Sequence, residues 1–192
     1  MPEVCANCVL IVDDDPFIRD LLGLHLEKAG FQSIHAEDGI DALMKLRDTL
    51  PKVIISDLEM PRMSGFEFIG VVRRRFRTMP IIALAGEIPS EVSVDVNPDC
   101  WFEKGMLELP ELMQTVSYLA RKVPKHVDLP HVISLPVRAR QDVDGYTVLT
   151  CSECLRLFGT TSAPGDKVVE GTAVCTHCQA RVRFLIESAE PD

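Results

Sequence analysis

Three short apolar runs limit how this chain can fold. Residues 9–12, 53–55 and 81–84 contain no polar break and are rich in valine and isoleucine. Runs of this length are too short for helices and do not alternate, which describes strands buried on both faces. Weaker candidates lie at residues 33–36 and 100–102. Helical spacing fills the gaps. Asp15-Pro16 reads as an N-cap with proline at the first helical position, and Ile18, Leu21, Leu22 and His25 then recur at i, i+3, i+4, i+7 until Gly30. Ile40, Leu43 and Met44 repeat the pattern, as do Phe68, Val71 and Val72, and a last helix is expected from near Pro110 through Leu112, Val116 and Leu119 to Lys122.

Strand followed by helix, five times, implies an α/β fold: a parallel sheet with right-handed crossovers and helices on both sides. In such sheets reactive groups gather at the carboxyl ends of the strands. Residues 87–99 fit worst, because Pro89, three β-branched valines (Val92, Val94, Val96) and Asn97-Pro98 oppose helix there. A fourth helix should be short or frayed. After residue 122 the prolines of residues 124–136 read as an extended linker, taken to residue 145, and short strands are expected at 146–149, 168–174 and 181–186. The expected domains are therefore 1–122, a linker 123–145 and a small β module 146–192.

The composition, 46% hydrophobic and 26% charged, is that of a folding chain. Residues 121–192 hold nine basic and nine acidic groups, so the whole net charge of −9 falls on the first 120 residues. Neither part offers the positive surface that displaces counterions from phosphates, which disfavours nucleic acid as a partner. Arg73, Arg74, Arg75 and Arg77 are read instead as a solvated face complementing a helix C-terminus. No apolar run approaches a membrane span, and the start of the chain lacks the features of a signal peptide, so a cytoplasmic protein is expected.

Asp13 and Asp14 follow the first strand, Asp57 the third and Lys104 the fifth, so a parallel sheet carries all four to one edge. Carboxylates crowded to about 4 Å repel by about 4 kcal/mol per pair at an effective dielectric near 20, and a cation relieves this. Hard oxygen donors with room for water and phosphate suit Mg²⁺. Metal and Lys104 would neutralise a phosphoryl group attacked by Asp57.

The segments VLIVDDDP (residues 9–16), IISDLEMPRMSG (residues 54–65) and FEK (residues 102–104) resemble bacterial two-component response-regulator receiver domains over about residues 8–120. The resemblance implies a five-stranded, flavodoxin-like (βα)5 domain in which Asp57 is the phosphoacceptor. Asp14 would bind Mg²⁺ directly, Asp13 through water and Glu59 through its backbone carbonyl, while Lys104 would contact the phosphoryl oxygens. It implies a sensor histidine kinase or phosphotransfer protein as donor, and no enzyme activity beyond the domain's own phosphoryl transfer and dephosphorylation. Two departures stand out. Where the family carries Ser or Thr at the end of the fourth strand this chain has Ala85, and Gly105 follows the lysine where proline is common. Trp101 takes the aromatic switch position, and its indole is expected to fill part of the space that Ala85 leaves.

Seven cysteines remain to be placed. Cys151-x-x-Cys154 and Cys175-x-x-Cys178 are two knuckles separated by twenty residues, the spacing of a zinc ribbon whose closed tetracysteine Zn²⁺ site is structural. Iron in a rubredoxin-like site and a redox dithiol are the rivals. His177 is read as an exposed turn residue, Cys100 as core, and Cys5 and Cys8 as one mobile and one buried thiol. The functional expectation is a signalling switch with output through protein contacts. Alternatives are a seldom phosphorylated interaction protein and a DNA-binding regulator, and a homodimer is left open.

Overall fold

The computed structural model describes residues 2–88, 97–121, 137–141, 146–161 and 168–187. In chain order the first part comprises β1 (Cys8–Val12), α1 (Pro16–Lys28), β2 (Gln32–Ala36), α2 (Gly39–Asp48), β3 (Val53–Asp57), α3 (Gly65–Arg75), β4 (Ile81–Ala85), β5 (Cys100–Glu103) and α4 (Leu109–Arg121). All five strands are parallel and stand in the order β2-β1-β3-β4-β5. The chain reverses direction across the sheet at β1, which opens a crevice between the carboxyl ends of β1 and β3.

Alternate residues of each central strand feed two cores. Leu10, Val12, Ile54, Ile81 and Ala83 pack with Leu43, Leu46, Phe68, Val71 and Val72 of α2 and α3. Val9, Ile11, Val53, Ile55, Ile82 and Leu84 pack with Leu22, Leu26, Leu112, Val116 and Leu119 of α1 and α4. This two-sided burial is why the strands read as unbroken apolar runs. The stripe on α1 differs from the expected one: Leu22 and Leu26 are buried with Ile18 partly covered, while His25 turns its Nδ1 to the Leu21 carbonyl at 2.9 Å. Met44, expected on the buried face of α2, is exposed, and Leu46 takes the core position.

Asp15 caps α1 through the Phe17 amide, and Ser64 and Glu67 form a capping box on α3. Arg73 is no solvated residue. Its guanidinium donates to the Asn97 carbonyl at 2.8 Å and pairs with Asp99 at 2.8 Å, tying α3 to the lead into β5. The expected short fourth helix falls largely on residues 89–96, outside the described residues, as does Lys122.

Upstream of β1, Glu3–Val4 runs parallel to Thr49–Leu50, and the Cys5 amide donates to the Leu50 carbonyl at 3.0 Å. Cys5 and Cys8 are joined as a disulfide with Cα atoms 5.5 Å apart, not left as two free thiols. The intervening two-residue turn brings the pair within bridging range. Cys100, expected in the core, is only half-buried against the α1/α4 core.

The second sheet holds β6 (Val137–Gln141), β7 (Tyr146–Thr150), β8 (Leu157–Thr161), β9 (Val168–Val174) and β10 (Arg181–Glu187), in the order β8-β7-β6-β10-β9. Two antiparallel hairpins, β7–β8 and β9–β10, flank β6, which runs antiparallel to β7 and parallel to β10. β6 corrects the expected linker 123–145, because this sheet already begins at Val137. Val137 and Ala139 are buried in it, an alternation too short to stand out in the sequence. The rest of that stretch, residues 123–136 and 142–145, lies outside the described residues. Among the described residues no helix is long and apolar enough to cross a membrane.

Candidate functional site

The ends of β1, β3 and β5 converge as the strand pattern requires. Asp13 is fully buried and Asp57 2% exposed, whereas Asp14 reaches solvent. Carboxylate oxygens of the three lie within 4.8 Å of one another. Lys104, at the start of a single 3-10 turn after β5, sets its Nζ 3.0 Å from Asp13 Oδ2 and 2.9 Å from Asp57 Oδ2. The Leu58 and Glu59 amides donate to Asp57 Oδ1 at 2.7 and 3.3 Å, the Asp15 amide donates to Asp13 Oδ1 at 2.9 Å, and Arg19 donates to the Asp13 carbonyl at 2.6 Å. One ammonium thus pairs with two members of a three-carboxylate cluster, which leaves these hard oxygen donors short of positive charge. These donors fit a divalent ion such as Mg²⁺. Arg19 has no motif of its own and was not anticipated. Its one sequence signal is a basic side chain on the first turns of the helix that follows the acidic run.

Burial raises the Asp13 carboxyl above its ordinary 3.8; the Asp15 amide and Lys104 lower it and Asp57 adds to the rise. Burial also works against the Lys104 ammonium, but bonds to Asp57 and Asp13 outweigh it, so its pKa lies above 10.5. A carboxyl raised on folding weakens the fold once ionised, and that penalty fades as pH falls through the raised value. Asp13→Asn is therefore expected to melt about 2–5 °C above wild type at neutral pH in EDTA, with the gain shrinking in acid. Thermal unfolding followed by circular dichroism checks this, and a lower melting temperature at neutral pH would contradict it.

Gly65 starts α3 directly behind the site. A Cβ there would lie 2.0 Å from the Asp57 carbonyl oxygen and 2.8 Å from Leu58 Cα, so only glycine lets the loop from β3 close back on itself. Ala85 ends β4, 2% exposed, with no hydroxyl to offer. Trp101 pairs with Ala83 in the sheet and is partly buried against the cluster that includes Ala83 and Ala85.

The second cluster is built by two matching turns. In the first, the Cys151 amide donates to the Arg156 carbonyl at 3.0 Å and the Leu155 amide to the Cys151 carbonyl at 2.8 Å; in the second, Cys175 to Ala180 and Gln179 to Cys175 repeat this at 2.9 and 3.0 Å. Leu155 and Gln179 both take left-handed backbone, with φ of 55° and 63°. Cys151 Sγ lies 3.5 Å from Cys178 Sγ, and Cys154 Sγ lies 3.7 Å from Cys175 Sγ. Four sulfurs at 2.3 Å from one zinc would be separated by about 3.8 Å, so the cluster fits that ion. Burial pushes the Cys151 and Cys154 thiols up. Burial also opposes ionisation of Cys175, but the Cys178 and His177 amides overcome it and bring that thiol down to about 7. The His177 amide donates to Cys175 Sγ at 3.4 Å, while its ring meets the Leu157 carbonyl at 3.1 Å. His177 is thus exposed, as expected, and joins one hairpin to the other.

Residues 9–96 match the family of response regulator receiver domains. Vibrio cholerae chemotaxis protein CheY4 is 34% identical, with TM-score 0.55, over 59% of this chain and 98% of that one. The chain belongs to the response regulator receiver family. Response regulator TrrA of Thermotoga maritima, solved in complex with Mg²⁺ and BeF, is 32% identical at TM-score 0.54 over 59% of this chain and 98% of its own. Protein PilG of Pseudomonas aeruginosa is 36% identical over 81 residues, 41% of this chain and 60% of PilG. The chain spans between 13% and 66% of the length of the first curated relatives it matches. These similarities to CheY4, TrrA and PilG concern the receiver. Its parallel sheet is the flavodoxin-like fold of that family, and its place is in two-component signalling.

Proposed function

We propose that this protein is a response regulator whose receiver accepts a phosphoryl group on Asp57 with Mg²⁺ bound, and whose cysteine-bearing sheet is a structural zinc ribbon. The observation that carries the reading is Lys104 Nζ bridging Asp13 and Asp57 at 3.0 and 2.9 Å inside a three-carboxylate cluster. Asp14, the Asp57 carboxylate and the Glu59 carbonyl would hold the metal directly and Asp13 through water. The ion would neutralise oxygens of the incoming phosphoryl group. An Asp57 oxygen forms the new O–P bond as the donor's N–P bond breaks, and the departing imidazole keeps that electron pair and takes a proton from solvent. Lys104 holds a phosphoryl oxygen throughout. The donor is a sensor histidine kinase or a phosphotransfer protein, and the chain catalyses only its own loading and unloading. We place the receiver at residues 1–122 and the ribbon after it, in the cytoplasm.

Output runs through protein contacts of the receiver surface and the ribbon. Loading adds about 1.5 to 2 negative charges, enough to rearrange neighbouring loops. Ala85 supplies no hydroxyl to follow the phosphoryl group, so its effect on Trp101 is weak. Trp101 fluorescence is expected to respond to Mg²⁺ and then to BeF₃⁻, and the second response should grow in Ala85→Thr. An equal BeF₃⁻ response in both proteins would remove Ala85 from the account. No response to either ligand would favour a second reading, a constitutive interaction protein, which Ala85 itself supports. DNA binding by the ribbon is a weaker reading, given the charge balance of that half of the chain.

A further inference from the structure

The loop from β3 to α3 carries the Glu59 carbonyl, and at its far end Arg62 is paired with residues of a neighbouring loop. Arg62 takes left-handed backbone, φ 64°. From there its guanidinium pairs with Glu37 Oε1 at 2.5 Å and, through Nε, with Asp38 Oδ2. Asp38 is fully buried, and its other oxygen caps α2 by accepting from the Asp41 amide at 2.8 Å. A buried carboxylate facing a guanidinium loses much when that partner is removed, whereas the exposed Glu37 pair contributes little by itself. Beside the ion pair the loops also touch through backbone, the Gly39 amide donating to the Met63 carbonyl at a long 3.4 Å. Gly39 leaves no room for a Cβ, which would lie 2.5 Å from Met63 Cγ. At its near end the loop is closed by the Gly65 amide on the Leu58 carbonyl at 3.0 Å and by the Leu58 and Glu59 amides on Asp57 Oδ1. Glu59 therefore sits between a firmly bonded base and a tip anchored by the buried Met60 and Met63 and by the ion pairs of Arg62.

We propose that Arg62 is a positioning residue for the divalent ion: by clamping Glu37 and Asp38 it holds the β3–α3 loop so that the Glu59 carbonyl is aimed at the carboxylate cluster. This rests on the Mg²⁺-dependent reading of Asp57 given above. Arg62 acts through Glu37 and Asp38, so its loss raises the amount of Mg²⁺ required without slowing transfer once the ion is bound.

The test titrates full-length wild type, Arg62→Ala and Arg62→Gly with MgCl₂ by calorimetry, and measures acetyl phosphate labelling of each across Mg²⁺ concentrations. Arg62→Gly matters because glycine accepts the left-handed backbone and preserves the turn while deleting the guanidinium. Both variants are expected to need about tenfold more Mg²⁺ for half-saturation, the size of effect typical of groups that orient metal ligands, with limiting labelling rate unchanged. Unchanged Mg²⁺ affinity in Arg62→Gly, or a fall in limiting rate at unchanged affinity, overturns the proposal. Wild type that takes up no Mg²⁺ overturns the reading of the acidic site and this inference with it. Normal wild-type uptake with unaltered variants overturns this inference alone.

Discussion

Acetyl phosphate with Mg²⁺ is expected to add the mass of one phosphoryl group to the wild-type chain and nothing to Asp57→Asn. Asp57 is 2% exposed and fixed from two sides, by amides on Oδ1 and by Lys104 on Oδ2. An amide at this position keeps the shape but cannot act as the nucleophile, so the loss should be complete. Lys104→Ala should keep Mg²⁺ binding and lose most of the labelling, because the carboxylates remain and the phosphoryl oxygens lose their fixed cation. Removing one such electrostatic contact costs on the order of a hundredfold or more in rate. Intact mass against time measures both variants. Labelling of Asp57→Asn at the wild-type rate would move the acceptor elsewhere and sink the proposed chemistry.

The other large effect is expected at the cysteine cluster. One zinc should copurify per chain, and Cys175→Ser or a strong chelator should unfold the second sheet while the first stays intact. Cys151 and Cys175 are fully buried at the tips of the β7–β8 and β9–β10 hairpins. Their apolar neighbours, among them Leu149, Leu155, Phe158, Val182, Phe184 and Ile186, add only a small share to a buried cluster that continues into the α2/α3 core. A share of that size is marginal on its own, whereas structural zinc contributes about 10 to 16 kcal/mol. Zinc content by elemental analysis and amide exchange in the two sheets check the prediction. Full protection of β7 to β10 in metal-free protein would show that the thiols need no ion. Iron in purified protein would support the rubredoxin-like rival instead.

How legible each part was depends on the length scale of its signal. Val9, Val53 and Ile81 open runs buried on both faces, and such strands carry an apolar pattern that survives in the bare sequence. The same rule that sends strand ends to one edge brought Asp13, Asp57 and Lys104 together, and their contacts follow from it. Cysteine spacing marked both knuckles, because two thiolates on one turn need two residues between them. Weaker signals failed. β6 is hidden behind prolines and shows only Val137 and Ala139 in alternation, and β8 contains Gly159, which dilutes strand propensity. The Cys5–Cys8 bridge was not foreseen because spacing alone does not separate a dithiol from a disulfide.

By itself, then, the sequence determined which residues form the parallel sheet, which acids and which lysine end its strands, and which sulfurs can close on one ion. Only the tertiary structure decided that Arg62 reaches back 25 residues to Glu37 and its buried neighbour Asp38, that Arg19 supports Asp13, and that Arg73 ties α3 to Asp99. The physical reason is range. Burial patterns and ligand spacing repeat within a few residues along the chain, whereas a charge pair between loops has no periodicity and exists only after the sheet has set those loops side by side.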